Sequence, residues 1–229
     1  MIFVQLGTPF VKLGDWIPAV HSRRQLAKQT EELHAENESL RRQGNAFAEI
    51  GRENLRLRQL LNLKEPAAFH TIGARVIGHD ASNWWKSIQI DRGTQDGIRE
   101  NMPVINADGL IGKTISVTRG EARVLLLTDP NCKVSALLQD SREPGIVSGG
   151  ENVMGIDPHC LMTYVDRRAQ FKNGETVVTS GLGGVFPKGI PIGAAVRVRL
   201  NPQTGMYQDV DVRPAVDFHR LEEVEVIIE

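Results

Sequence analysis

Apolar side chains return at every seventh position between residues 26 and 61: Leu26, Leu33, Leu40 and Phe47, then Asn54 in the same column, then Leu61. Ile50 and Leu57 supply a companion column in the second half. A 3.5-residue repeat keeps one helix face turned towards a partner helix, which is the sequence form of a left-handed coiled coil. The first half is less regular. Thr30 and Asn37, or Gln29 and Glu36 in the other frame, fill the second column, and Gly44 falls where the frame shifts. An interrupted zipper is expected, with Asn37 or Asn54 in the seam favouring a two-stranded, in-register pair. Ser22 is the expected N-cap, and no stop signal follows before Lys64-Glu65-Pro66, so the pattern predicts a single helix over 22–65, a rod of roughly 65 Å. The competing interpretation is one amphipathic helix folded back on its own domain. It fits less well, because a helix of that length outreaches a small domain.

After Pro66 the hydrophobic period falls to two, and short β-branched runs alternate with glycine-centred turns. The pattern predicts strands at 71–78, 84–91, 102–106, 110–118, 122–127, 133–139, 145–148, 160–165, 176–179, 190–200, 208–215 and 224–228. Asp96-Gly97, Ala107-Asp108-Gly109, Asn173-Gly174 and Pro187-Lys188-Gly189 supply the turns between them. A dozen short strands exceed one sheet, and closure removes exposed edges, so two small antiparallel barrels or sandwiches are expected. The fold class is therefore mainly β with one long N-terminal helix. The expected division is 66–104 plus 188–229 for the first barrel and 105–187 for the second. No helix of useful length interrupts the strands, which excludes a βαβ nucleotide fold. Residues 1–21 precede the helix. Their apolar run ends at Lys12 and Asp15, short of the ~20 residues a membrane-spanning helix needs, and it lacks the basic start and cleavage site of a signal peptide.

Composition sharpens this division. Prolines stand at 9 and 18 and then not until Pro66, and 18 of the 22 glycines lie in 66–229. Across 229 residues, 27 Lys/Arg balance 28 Asp/Glu, so the basic excess of a nucleic-acid-binding domain is missing and nucleic acid is not an expected partner. Cys132 and Cys160 cannot make a disulfide framework and form no C-x-x-C zinc knuckle.

Candidate chemistry is sparse. Gly109 to Thr114 resembles a phosphate loop, but Ala107 stands where that motif needs its first glycine and a strand-like run follows instead of a helix. Ser148-Gly149-Gly150 resembles the nucleophile loop of chymotrypsin-type proteases, with His79 and Asp108 before it in the right order. Asp140, Ser141 or Glu151 would complete equally good triads, and the spacing is tighter than two full protease barrels allow. Ser180 is the other candidate nucleophile. The six histidines show no metal-ligand spacing. No catalytic residue, cofactor or metal site is assigned. Trp84 and Trp85 lie on one extended run, so one indole faces the core and the other faces out, as a possible partner contact or beneath a neighbouring loop. The run from Val177 to Gly193 carries five glycines and two prolines, the mark of a rigid corner between two strands.

These residues, in this order, resemble the rod shape-determining protein MreC family. The likeness runs from Glu53-Asn54-Leu55 through Trp85-Lys86-Ser87-Ile88-Gln89-Ile90-Asp91, Met102-Pro103-Val104 and Gly109-Leu110-Ile111-Gly112 to Thr179-Ser180-Gly181-Leu182-Gly183-Gly184 and Phe186-Pro187-Lys188-Gly189-Ile190. The resemblance implies a non-enzymatic scaffold of the bacterial cell-elongation machinery, on the periplasmic side of the inner membrane. It implies a homodimer joined by its coiled coil, and penicillin-binding proteins, MreD and MreB as partners. Residues 1–21 would then be the remnant of a juxtamembrane anchor, the anchor itself being missing from this sequence. Two other classes compete: a periplasmic adaptor of the efflux type, which needs a second long helix, and a chymotrypsin-like serine hydrolase using Ser148 or Ser180.

Overall fold

A computed structural model describes residues 16–60, 69–79, 86–150, 159–200 and 205–228, with the backbone alone at 16–27, 54, 55, 58, 59 and 200. Helix α1 runs from Trp16 to Leu60. It begins before the expected cap at Ser22, because Pro18 falls in the first turn, where its missing N–H removes no intrahelical bond. Residues 61–65 of the expected helix lie outside the described residues. Exposed Glu–Arg pairs at Glu38–Arg42, Glu49–Arg52 and Glu53–Arg56 support α1 along its length, each worth a few tenths of a kcal/mol. The helix and the region from Ala68 onward are separate compact units.

Among the described residues the second unit holds twelve strands, which fall on the twelve alternating runs of the sequence. They are β1 (His70–His79), β2 (Ser87–Ile90), β3 (Pro103–Ile105), β4 (Leu110–Val117), β5 (Ala122–Leu126), β6 (Val134–Leu138), β7 (Pro144–Gly149), β8 (Cys160–Asp166), β9 (Thr176–Thr179), β10 (Pro191–Leu200), β11 (Tyr207–Pro214) and β12 (Glu223–Ile228). They close into two antiparallel barrels, ordered β1-β12-β3-β4-β5-β2 and β10-β11-β8-β7-β6-β9. The barrel boundaries differ from those expected. β4 pairs with β3 through Val104↔Gly112 and with β5 through Thr114↔Val124, which places 110–126 in the first barrel. β10 pairs with β9 and β11 through Pro191↔Val178 and Val198↔Val210, which places 191–214 in the second. Only β12 returns to complete the first barrel, so the second barrel is an insertion between β5 and β12.

One continuous apolar core runs through both barrels, with Ile88, Ile90, Val104 and Val226 in the first and Val134, Leu138, Met162 and Ile192 in the second. The barrels meet closely. A Cβ at Gly109, whose φ is +155°, would stand 2.4 Å from the carbonyl oxygen of Pro191, so a side chain there would push the two apart. On either side of this approach the ladders are extended within each barrel, Leu127 N–H donating to Ile111 O (2.8 Å) just past β5 and Ala215 N–H to Ile192 O (3.0 Å) just past β11.

Each barrel is also pinned by one buried threonine. In the first, Thr114 Oγ1 donates to Arg99 O (2.6 Å) and accepts from Met102 N–H (2.9 Å), while Thr114 O accepts from Asn101 N–H. In the second, Thr179 Oγ1 donates to Pro187 O and accepts from Ile190 N–H (2.9 Å), while Thr179 O accepts from Gly189 N–H. Both threonines are fully buried. Asn101 and Gly189 fill the same place in the two loops and share the left-handed conformation, with φ of 63° and 95°. This second loop is the rigid corner that the glycines and prolines of 177–193 predict.

Glu175, also buried, ties the β6–β7 turn to the strand before β10. Its Oε1 accepts from the N–H groups of Asp140 (3.0 Å) and Ser141 (2.8 Å) and from Ser141 Oγ (2.9 Å), and its Oε2 from Lys172 N–H (3.3 Å). Burial pushes its pKa up, but these bonds favour the charged form and together hold the carboxyl below its ordinary value.

Two outcomes are expected. Thr114→Val and Thr179→Val each leave a buried carbonyl and amide without their side-chain partner and cost about 1–3 kcal/mol in urea unfolding, while Thr→Ser at either place costs less. A loss below about 0.5 kcal/mol would remove the pin from the account. Because the folded Glu175 titrates below the unfolded carboxyl, its stabilisation is present above the ordinary value of 4.5 and is lost as pH falls below it. Thermal melts of Glu175→Gln should therefore be flatter than those of the parent chain across that acidic range.

Candidate functional site

The exposed surface offers three features of binding type. The first lies on α1, where Leu33, Leu40, Phe47, Ile50 and Leu57 are all exposed, from 48% at Leu57 to 71% at Phe47. These belong to the seven-residue columns that the sequence singled out. Leu60, exposed to 70%, extends the apolar face and was missed, since it lies one residue before Leu61 and three past Leu57 and so falls in neither column. Leu26 and Asn54 stand in the helix at their register positions, with side chains outside the described residues. Leu61, Trp84 and Trp85 lie outside the described residues altogether.

The second feature is a small apolar depression on the second barrel, about 240 Å³, lined by Ala136, Pro144, Ile146, Tyr164, Ser180 and Leu182 among others. Tyr164 takes φ of 62°, rare for an aromatic residue inside a strand, and its ring stands outward against Tyr207 at 5.7 Å in an edge-on arrangement. Leu182, at the tip of the glycine-rich corner, is exposed to 67%. The third feature is a polar cleft of about 560 Å³ on the first barrel, lined by Arg75, Arg92, Asn106, Glu223 and Glu225. Its arginines are engaged with Asp91, Arg75 Nε at 3.2 Å and Arg92 at 3.6 Å.

The residues considered for catalysis do not assemble. His79 ends β1 in the first barrel, Asp108 sits exposed in the β3–β4 turn, and Ser148 lies on β7 in the second, paired with Leu161. The cleft that His79 lines contains neither Asp108 nor Ser148. In the chymotrypsin arrangement the oxyanion is held by the N–H of the nucleophile and of the residue two before it, and here both, Ser148 and Ile146, sit inside β7, laddered to β8 through Ser148↔Leu161 and Ile146↔Thr163 rather than in an open loop. Ser180 Oγ accepts from Leu182 N–H (3.2 Å), and no histidine or carboxylate lines its depression. The run that resembles a phosphate loop is strand β4, with Asn106 Oδ1 holding the preceding turn through the N–H groups of Asp108 and Gly109, both at 3.0 Å. Both cysteines are buried and unpaired. Burial pushes the Cys132 thiol up to about 12 and raises that of Cys160 as well, so neither is a ready nucleophile. Among the described residues no group of three His, Cys, Asp or Glu could hold a metal ion, and no helix is long and apolar enough to cross a membrane. The second long helix required of an efflux-type adaptor does not occur among them either.

Double barrels with binding surfaces are common to several families, and comparison with known proteins decides among them. Residues 76–228, about two thirds of the chain, match the family model described as rod shape-determining protein MreC, barrel core. The chain belongs to the MreC family. The cell shape-determining protein MreC of Listeria monocytogenes is 33% identical over 205 residues, covering 86% of this chain and 68% of that protein. MreC of Cereibacter sphaeroides is 28% identical over 226 residues, covering 98% and 71%. Among solved structures, Listeria MreC aligns with a TM-score of 0.72 at 31% identity, over 90% of this chain and 95% of that one. The MreC fold also appears in a complex of penicillin-binding protein 2 with MreC from Helicobacter pylori, at a TM-score of 0.56 and 14% identity, over 71% of this chain and all of that one.

For this MreC-family chain, a fluorophosphonate probe should label neither Ser148 nor Ser180. Labelling abolished by Ser148→Ala or Ser180→Ala would overturn the placement of both serines outside any catalytic arrangement.

Proposed function

We propose that this chain is a non-enzymatic scaffold of the bacterial cell-elongation machinery, which pairs with a second copy along α1 and docks peptidoglycan-synthesising enzymes on its barrels. The pairing reading rests chiefly on the exposed leucines and Phe47 at seven-residue spacing. An apolar column of that kind in water is costly unless covered, at roughly 25 cal/mol per Å² of exposed apolar surface. Asn54 in the same column would fix a two-stranded register.

The docking reading draws on the Helicobacter pylori relative, whose solved structure is a complex with penicillin-binding protein 2. A penicillin-binding protein is accordingly the expected enzyme partner here, with MreD and MreB as further components. The family's periplasmic setting at the inner membrane is the expected location. Closed barrels suit this task. Where the ladders close they spend their backbone hydrogen bonds internally, which leaves side chains and rims to do the recognition.

Sedimentation equilibrium of the whole chain should show a dimer. Leu40→Asp together with Phe47→Asp should weaken association by at least about a hundredfold, since each buries a charge in the seam. A chain that sediments as a monomer at tens of micromolar, or a double variant that remains a dimer, overturns the pairing. Surface plasmon resonance against penicillin-binding protein 2 of the same bacterium tests the docking separately, and absence of binding by the dimer overturns that part.

A further inference from the structure

Strand β10 outlasts its neighbour. Its first residues lie beside β9, through Pro191↔Val178 and Ala194↔Thr176. Ala195 is then taken up by the segment before β9, with Gly174 N–H donating to Ala195 O (2.8 Å) and Ala195 N–H to Glu175 O (2.9 Å). Past a bulge between Ala195 and Arg197 the strand runs on to Leu200, paired with β11 through Arg197↔Asp211, Val198↔Val210, Arg199↔Asp209 and Leu200↔Gln208. Among the described residues no strand pairs with its other side. In an antiparallel strand every second residue turns both backbone groups the same way. Residues 196–200 therefore present a row of N–H and C=O groups to whatever lies beside them, the arrangement that templates a further strand.

The side chains state what that strand must carry. Val196 and Val198 are each 44% exposed, although Val210 opposite Val198 is fully buried. An incoming strand would thus extend the apolar rim of the barrel with its own β-branched residues. Arg197 and Arg199 are exposed. Arg199 Nε donates to Asp211 at 2.9 Å, and the guanidinium has four further N–H donors with which to meet a second carboxylate. A second copy of the same edge fits poorly, because antiparallel self-pairing about Val198 sets arginine opposite arginine, and like charges directly across a ladder are destabilising. Charge complementarity selects an acidic strand instead.

We propose that residues 196–200 are a strand-addition site for an extended segment of a partner protein in which Asp or Glu alternates with β-branched residues. This names a surface and a ligand chemistry that the docking reading leaves open, and it relies on that reading only for its place in the cell. Main-chain bonds to the free edge supply affinity, and the alternation of Val and Arg supplies selectivity.

The test uses the whole chain and a fluorescent hexapeptide alternating Glu and Val, read by anisotropy and by amide hydrogen exchange. Binding should slow exchange within 196–200. A peptide alternating Lys and Val, and the acidic peptide N-methylated at alternate residues, should not bind, since one lacks the charge and the other the ladder. Arg197→Glu, alone and with Arg199→Glu, should weaken the acidic peptide by roughly tenfold and favour the Lys peptide. Equal binding of the N-methylated peptide, or exchange at 196–200 that the acidic peptide leaves unchanged, overturns the proposal. Protection there that grows with protein concentration without peptide assigns the edge to a second copy, and overturns it too. Should the peptide fail while penicillin-binding protein 2 still binds, the edge is wrong and the docking reading stands. The reverse result condemns the docking reading and spares the edge.

Discussion

Two buried hydroxyl groups hold this double barrel in shape. Thr114 and Thr179 each face a loop that has no regular ladder of its own, and each gives that loop both a donor and an acceptor from a single oxygen. A loop carried inside a barrel would otherwise leave buried amides and carbonyls unpaired, at about 1–3 kcal/mol apiece. With the threonine in place, the loop enters the next strand at a fixed angle, and the prolines that follow, Pro103 and Pro191, begin β3 and β10. Everything that makes the second barrel's surface useful, from the outward Leu182 to the long reach of β10, is referred to that fixed corner.

The two pinned loops are also related in sequence. Ile98-Arg99-Glu100-Asn101-Met102-Pro103-Val104 and Phe186-Pro187-Lys188-Gly189-Ile190-Pro191-Ile192 share the pattern of an apolar anchor, a left-handed residue at the fourth place and a proline at the sixth. That signal is present in the sequence. It would have placed 103–126 and 191–214 in different barrels. The threonine comes after its loop in the first barrel and before it in the second, so the repeat is one of geometry more than of chain order.

What could be read along the chain was local. The seven-residue column identified α1, and alternation with glycine turns located all twelve strands, because both periods are set by backbone geometry a few residues at a time. Barrel membership was misassigned because it depends on pairings such as Ala74↔Val224, between residues far apart in the chain, which no window of alternation contains. The site followed the same division. Leu33, Leu40, Phe47, Ile50 and Leu57 were legible as an apolar stripe. The open flank of β10 was not, since a strand's edge is defined by where its neighbour stops. The resemblance of Ser148-Gly149-Gly150 to a nucleophile loop failed for a related reason, as the pairing that holds Ser148 inside β7, opposite Leu161, is not contained in the local motif.

The insertion of one barrel within the other orders the birth of the molecule. All six strands of the second barrel lie between residues 134 and 214, so that barrel can close while the tail of the chain is still emerging. The first cannot, since β12 sits between β1 and β3 and is the last of the twelve to arrive. Until then the flanks of β1 and β3 stay open to stray pairing, and the unfinished barrel waits on its final strand. The pairings of β12, the most distant in the chain, are thus also the ones that cover those two flanks.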